Sequence, residues 1–384
     1  MKSYGIKIML AILFIVVSLF LTNDLGVIKI EKTAIITAIA IDEKDGNIVV
    51  SAQVALPKAT DSAADEDSLI SGEGKTIGLA IDDIAIKTGW YPKLAFCNLI
   101  IVNHSIADEY LPEIVNYVLY SKKIYDSILI AYSEESAKKV LEATGSLDNV
   151  SSFSIQKILL KNADDANAVY YSRVKDIAIS LTSESKQSLI PLIKLSEQVP
   201  RPPATGGSEE KPSYIFDAST TMLLSQGKIV GQLNTEQTLF YNLIVKGVKE
   251  IYFEVPYDTD KTALLKIVDS KSKTKIKPSG KGASLDISLS LNVYLIDVKS
   301  GKIFDTENSN IVPKRIITSA EEKITKEIES LVEISKSCGC DYFEIKENLF
   351  RYHPSFYKKH KDTLTLDKIT AKIKVDVKSL DKKR

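Results

Sequence analysis

The chain has 384 residues, with 50 Lys and Arg balanced by 50 Asp and Glu and 44% apolar residues. That length accommodates two or three domains with proper cores, and the zero net charge excludes a global basic field of the kind that recruits nucleic acid. Three cysteines, Cys97, Cys338 and Cys340, exclude the disulfide framework of a small secreted protein.

The N-terminal region is dominated by Ile8 to Leu21, IMLAILFIVVSLFL, in which Ser18 is the only polar side chain and Lys2 and Lys7 flank the start. A run of this kind is either a secretory signal core or a short membrane anchor. Phe20, Leu21, Thr22, Asn23 and Asp24 supply no pair of small residues for a signal peptidase, so residues 1–24 are expected to be an uncleaved signal anchor. Lysines before the run and Asp24 after it place the rest of the chain outside the cytoplasm.

Beyond the anchor, Lys32 to Asp42 and Asn47 to Leu56 read as strands of a hairpin about Glu43-Lys44-Asp45-Gly46. Pro57 to Gly74 is polar and acidic and is expected to be a loop. From Lys75 the period becomes helical, with Ile77, Ala80, Ile81, Ile84 and Ala85 on one face. Asn98 to Asn103 reads as a buried strand, followed by a helix with Ile106, Tyr110, Ile114, Val118 and Leu119 on one side. Ser127 to Tyr132 is another strand, and Ser133 is expected to cap a helix from Glu134 to Ala143. Helices over about 150 to 162 and 172 to 183 lead into extended Ser188 to Glu197. This alternation implies helices laid on one small sheet.

Val199 to Ser213, VPRPPATGGSEEKPS, holds four of the twelve prolines and a Gly-Gly pair, and reads as a linker. After it, Ser213 to Leu224 and Lys228 to Leu233 form strands about Gln226-Gly227, and Asn234 starts a helix bearing Leu239, Leu243 and Ile244. Lys249 to Val255, Ala263 to Val268 and Ser284 to Val298 are strands. The last alternates Leu285, Ile287, Leu289, Leu291, Val293 and Leu295, a pattern that buries one face of an antiparallel sheet. Ser319 to Ser337 is a long amphipathic helix with Ile324, Ile328, Leu331, Val332 and Ile334 inward, and Lys368 to Leu380 is a closing strand. The expected fold is α+β, several small mixed α/β domains with antiparallel or mixed sheets after the membrane segment. Its parts are an extracytoplasmic region over 25–198, a linker at 199–213 and a C-terminal α/β domain over 214–384.

Several groups tempt a chemical reading. Gly72-Glu73-Gly74-Lys75-Thr76 ends like a phosphate loop, but the glycine that motif needs is Leu69, so a helix start is the better reading. Cys338, Cys340, His353 and His360 form a late cysteine and histidine cluster whose C-x-C is tight and whose histidines stand too far apart for a usual zinc finger. Free or inert thiols are expected there. Asp82-Asp83 reads as solvated, and His104 as the only early histidine leaves no nucleophile, base and orienter set. Trp90, beside Tyr91, reads as a partly buried anchor of a helix-to-strand turn. No catalytic, cofactor-binding or metal-ligating residue is therefore assigned, and no cofactor.

Three stretches together resemble the GerAC-like spore germination proteins, the C subunits of nutrient germinant receptors. They are IEKTAIITAIAID (Ile30 to Asp42); the run from Gly74-Lys75-Thr76 through NLIIVNHSIAD and SILIAYSEESAKKVLE, ending at Glu142; and CDYFEIKENLFRYHPSFYKKHKD (Cys340 to Asp362), followed by ITAKIKVDVK. Two departures stand out. Thr22 to Leu25 occupy the region where the family has a lipobox cysteine, and Phe356 and Tyr357 follow Pro354 where the family tends to have Trp. The resemblance implies a non-enzymatic extracytoplasmic subunit at the inner spore membrane, with integral membrane partners of A and B type and no nucleic acid. The rival classes are a membrane-anchored cell-envelope hydrolase and a solute-binding module.

Overall fold

The computed structural model describes residues 2–21, 33–55, 68–145, 150–165, 168–197, 213–247, 250–299 and 312–380. The linker expected at 199–213 lies, apart from Ser213, outside them, as does the first part of the loop expected from Pro57. Helix α1 (Lys2–Leu21) precedes β1 (Thr33–Lys44), β2 (Asn47–Ala55), β3 (Ser68–Gly74), α2 (Ile77–Thr88), β4 (Tyr91–Lys93), β5 (Leu99–Asn103), α3 (Ala107–Ser121) and β6 (Leu129–Ser133). There follow α4 (Ala137–Glu142), β7 (Thr144–Gly145), α5 (Ser151–Asp165), β8 (Ser172–Arg173), α6 (Val174–Thr182) and β9 (Gln187–Glu197). The later part comprises β10 (Ser213–Ser225), β11 (Lys228–Leu233), α7 (Thr235–Val245), β12 (Ile251–Asp258), β13 (Lys261–Ser279) and β14 (Gly282–Lys299). It closes with α8 (Lys314–Cys338), α9 (Ile345–Tyr352), α10 (Pro354–His360) and β15 (Ile369–Ser379).

Among the described residues these strands make two sheets. The first has eleven strands in the order β11-β10-β9-β6-β5-β1-β2-β3, with β4, β7 and β8 attached at its margins. Its centre, β1, β5, β6 and β9, is parallel, and antiparallel pairs extend it on both sides. The fold class is therefore α+β with mixed sheets, as expected, but the small sheet foreseen for the N-terminal region is a large one. Strands β10 and β11, after the linker, join β9 before it. Strand partners are chosen by distant complementarity, which a local pattern does not encode.

The side-chain alternation of β1 explains the layers on this sheet. Ile39 and Ile41 face one core with Ile77, Ile81 and Ile84 of α2, Leu111 and Ile114 of α3, and Val174 and Ile177 of α6. Ala38 and Ala40 face the other, where their small side chains leave room for Val140 and Leu141 of α4 and Ile155 and Leu159 of α5. In α3 the buried positions are Ala107, Leu111, Ile114, Val115 and Val118, while Leu119, expected inward, is exposed.

Two local expectations are corrected. Ser68 to Gly74 is no loop: β3 pairs with β2 from Ser68 opposite Val54 to Gly74 opposite Ile48. Its glycines let α2 lie directly on the strand, for a Cβ at Gly72 would stand 2.2 Å from the Ala80 carbonyl oxygen. Ser133 is no helix cap either. It is a buried strand residue whose hydroxyl donates to the Glu135 carbonyl at 2.7 Å. The cap of α4 comes from Asp42, at the far end of β1, whose carboxylate accepts from the Ala137 and Lys138 amides at 2.9 Å and from Ser136 Oγ at 3.1 Å.

The second sheet runs β12-β13-β14-β15, antiparallel except for the parallel β14 and β15. Leu285, Ile287, Leu289, Leu291 and Val293 of β14 are buried, as the alternation required. Ile316, Ala320, Ile324, Ile328, Leu331 and Val332 of α8 cover them at helical spacing. Burying each large side chain contributes roughly 1.5–3 kcal/mol. Leu189, Leu223 and Leu233 of the first sheet belong to this same core.

Candidate functional site

The stretch between α8 and α10 is where polar chemistry concentrates. Gly339, at φ 67°, ends α8 and turns the chain into Cys340, Asp341, Tyr342 and Phe343. Asp341 is buried, and its carboxylate accepts from the Ile345 amide at 2.9 Å, the Lys346 amide at 2.8 Å and Ser185 Oγ at 2.7 Å. It thus caps α9 and grips the turn between α6 and β9 together. Burial raises its pKa to about 6 against the pull of those hydrogen bonds. Ser185 Oγ also accepts from the Glu347 amide at 3.1 Å. Burial would raise Glu347, yet the Glu184 amide at 2.8 Å and Arg351 Nε at 2.6 Å outweigh it and hold the carboxyl below its ordinary value. Tyr357 of α10 completes the latch by donating to Glu184 Oε2 at 2.8 Å.

Beside this latch lies a cleft of about 420 Å³. Tyr241, Ile244, Ile276, Tyr342 and Phe343 line its apolar side; Ser272, Thr274, Glu344, Glu347 and Arg351 line its polar side. The floor is an aromatic stack, with the Tyr241 and Tyr342 rings edge to face at 5.4 Å and Tyr241 Oη donating to the Tyr342 carbonyl at 3.0 Å. A second, wider cleft of about 680 Å³ runs beside α7 and β12. There Lys323 bridges Glu236 at 2.6 Å and donates to the Glu254 carbonyl at 2.8 Å. Both clefts offer paired charges on an apolar wall, the chemistry of a contact surface. The serine beside the buried carboxylate of this latch, Ser185 with Asp341, is itself buried, and its oxygen is engaged by a backbone amide.

The residues that tempted a chemical reading fall into ordinary places. Thr76 Oγ1 caps α2 by accepting from the Leu79 amide at 3.3 Å, and Lys75 Nζ donates to the Gly46 carbonyl at 3.1 Å. All three cysteines are free thiols. Burial pushes Cys97 up to about 12. Beside Cys340, the more exposed Cys338 is the easier of the two thiols to ionise, and the buried Cys340, which donates to the Leu224 carbonyl at 3.3 Å, keeps its proton. His360 packs on Phe356, apart from the thiols in a separate helix, and no group of three or more His, Cys, Asp and Glu suited to a metal occurs among the described residues. Trp90 does stand at the turn from α2 to β4, but at 48% exposure it is not the partly buried anchor expected. Asp42, Ser185, Asp341 and Glu347 were missed as a set. The only local signal was an aspartate at a strand end or four residues before a helix.

Most of the chain is covered by two family models. It matches the spore germination protein N-terminal domain over residues 27–195 and the spore germination B3/GerAC-like C-terminal domain over residues 219–380. Among curated proteins, none matches it by sequence. In structure it is similar to the protein described as "Crystal Structure of the GerBC protein", with a TM-score of 0.53 and 15% identity over 89% of this chain and 96% of that one. At that identity the likeness concerns the fold, while the two consecutive domain matches concern descent. The chain belongs to the GerAC-like family of spore germination proteins, the germinant receptor C subunits.

Proposed function

We propose that the chain is a non-catalytic, extracytoplasmic subunit of a nutrient germinant receptor, held at the inner spore membrane by α1 and working with integral membrane subunits of A and B type. The observation that carries this reading is the pair of family domains following one another through residues 27–195 and 219–380. The non-catalytic part is supported by the use made of the buried acids: Asp341 and Glu347 are engaged with backbone amides and Arg351. The anchoring part rests on α1, whose Ile8, Leu10, Ile12, Leu13 and Phe14 are exposed. No helix among the described residues is by itself long and apolar enough to cross a membrane, so neighbouring residues and partner subunits are proposed to share in retention.

Spores of a deletion strain are expected to germinate poorly with at least one nutrient and normally with an agent that bypasses the receptors. Normal nutrient responses in a strain with no redundant receptor would refute the reading.

A further inference from the structure

The eleven-stranded sheet has two unlike ends. Strands β1, β5 and β6 are parallel, so their first residues, Thr33, Leu99 and Leu129, lie toward one end, and β4 joins there with Tyr91 opposite Thr33. Helices α2 and α3 run back across the sheet and deliver their C-terminal residues to the same end. Large apolar and aromatic side chains exposed on these segments include Ile86 at 81%, Trp90 at 48%, Tyr91 at 41%, Phe96 at 53%, Tyr120 at 80% and Tyr125 at 70%. Four lysines are interleaved with them. Lys87, Lys93, Lys122 and Lys123 are all exposed, and Lys93 Nζ lies 5.9 Å from the centre of the Phe96 ring. Asp83, paired with Lys87 at 2.6 Å, and exposed Asp82 and Asp126 offset much of this charge, and in sequence Asp61, Asp65, Glu66 and Asp67 fall between the end of β2 and the start of β3, which lie at this end too. At the opposite end, around the β1–β2 turn and the start of α3, the exposed groups include Glu43, Asp45, Asp108 and Glu109.

This aromatic, lysine-bearing end is also where the chain arrives from α1. Only the eleven positions between Leu21 and Thr33 separate the two, and even fully extended they span at most about 40 Å. Tyrosine and tryptophan favour the boundary between lipid tails and water, where ring and polar tip are both satisfied, and lysine is drawn to anionic headgroups. We infer that this end of the sheet is a seat for an anionic phospholipid surface, with Trp90, Tyr91, Phe96, Tyr120 and Tyr125 entering the headgroup layer and the four lysines meeting its charge. The inference rests on the proposal that α1 is held in the membrane, and adds how the folded part stands on it.

Trp90 is the only tryptophan of the chain and so reports on the contact directly. The full chain is reconstituted into vesicles of phosphatidylcholine and phosphatidylglycerol with plain or brominated acyl chains, and the protein that floats with them is recovered. Its emission is expected to be shifted to the blue, quenched by the brominated lipid and shielded from iodide. A combined Y120S, Y125S, K122E and K123E variant should still float through α1 yet lose the blue shift and the bromine quenching. Floated wild-type protein whose Trp90 ignores bromine and remains open to iodide would overturn the seat alone. So would shielding that appears only when membrane subunits are added, since the occupant would then be protein. A chain that does not float would overturn the anchor and the seat together.

Discussion

Asp341 links two parts of the chain through one carboxylate, and its protonation sets how firmly. In the unfolded chain the group ionises near 3.8, in the folded protein near 6 because burial disfavours the charge. Its stabilising effect is therefore complete below the lower value and is lost as pH rises through about 6, a difference of roughly 3 kcal/mol. Asp341→Asn removes this titration while placing an amide N–H against a backbone donor, so the variant should be less stable at low pH and should lack the decline. Urea midpoints at pH 4, 5, 6 and 7 test this, and parallel trends for the two proteins would show the reading to be wrong. Asp341→Ala leaves the buried Ile345 amide and the half-buried Lys346 amide without an acceptor and should cost ~2–4 kcal/mol at low pH, with the cost shrinking as pH rises through about 6. None of this was legible locally: the acceptor's partner Ser185 lies 156 positions away.

At the scale of elements, the contact of α2 with β3 turns on two glycines that sequence reading assigned to a loop. A Cβ at Gly72 would also stand 2.8 Å from Ile84 Cγ1, so Gly72→Ala must push the helix off the strand and should cost ~1–3 kcal/mol or more. Gly78, inside α2, has its nearest neighbour at 3.6 Å, so Gly78→Ala should instead add up to ~1 kcal/mol by helix propensity alone. Thermal melts of the two variants, moving in opposite directions, check the argument; equal losses would defeat it. Where an element's own pattern sufficed, it was readable. Lys228 to Leu233 form β11 after the Gln226-Gly227 turn, as expected, and Asn234 with Gln237 makes a full capping box on α7, with reciprocal bonds at 2.9 and 3.0 Å. Helix α4 was readable but its cap was not, since Asp42 precedes it by 95 positions. Asp42→Ala should cost ~1–2 kcal/mol.

For the molecule as a whole, the joint between its two halves lies beyond the proline-rich linker. Strands β9 and β10, on either side of it, pair from Glu197 opposite Tyr214 to Gln187 opposite Ser225, and the Asp341 latch adds a second joint. A protease site engineered within positions 199–212 should therefore yield two fragments that co-elute under native conditions and separate only in denaturant. Fragments that part without denaturant would show the linker to be the real joint. The proline- and glycine-rich composition of 199–213 was legible. The sheet that runs across it was not, because hydrogen bonding between distant strands leaves no periodic trace in either.

The position of β1 has a mechanical consequence. A pull transmitted from α1 reaches the folded part at Thr33, the first residue of a strand flanked by β2 on one side and β4 and β5 on the other. The load runs along the strand axis, so the ladders to both neighbours bear it together, in shear, and cannot be opened one bond at a time from an edge. Such a pull would thus be passed into the centre of the sheet without unravelling it.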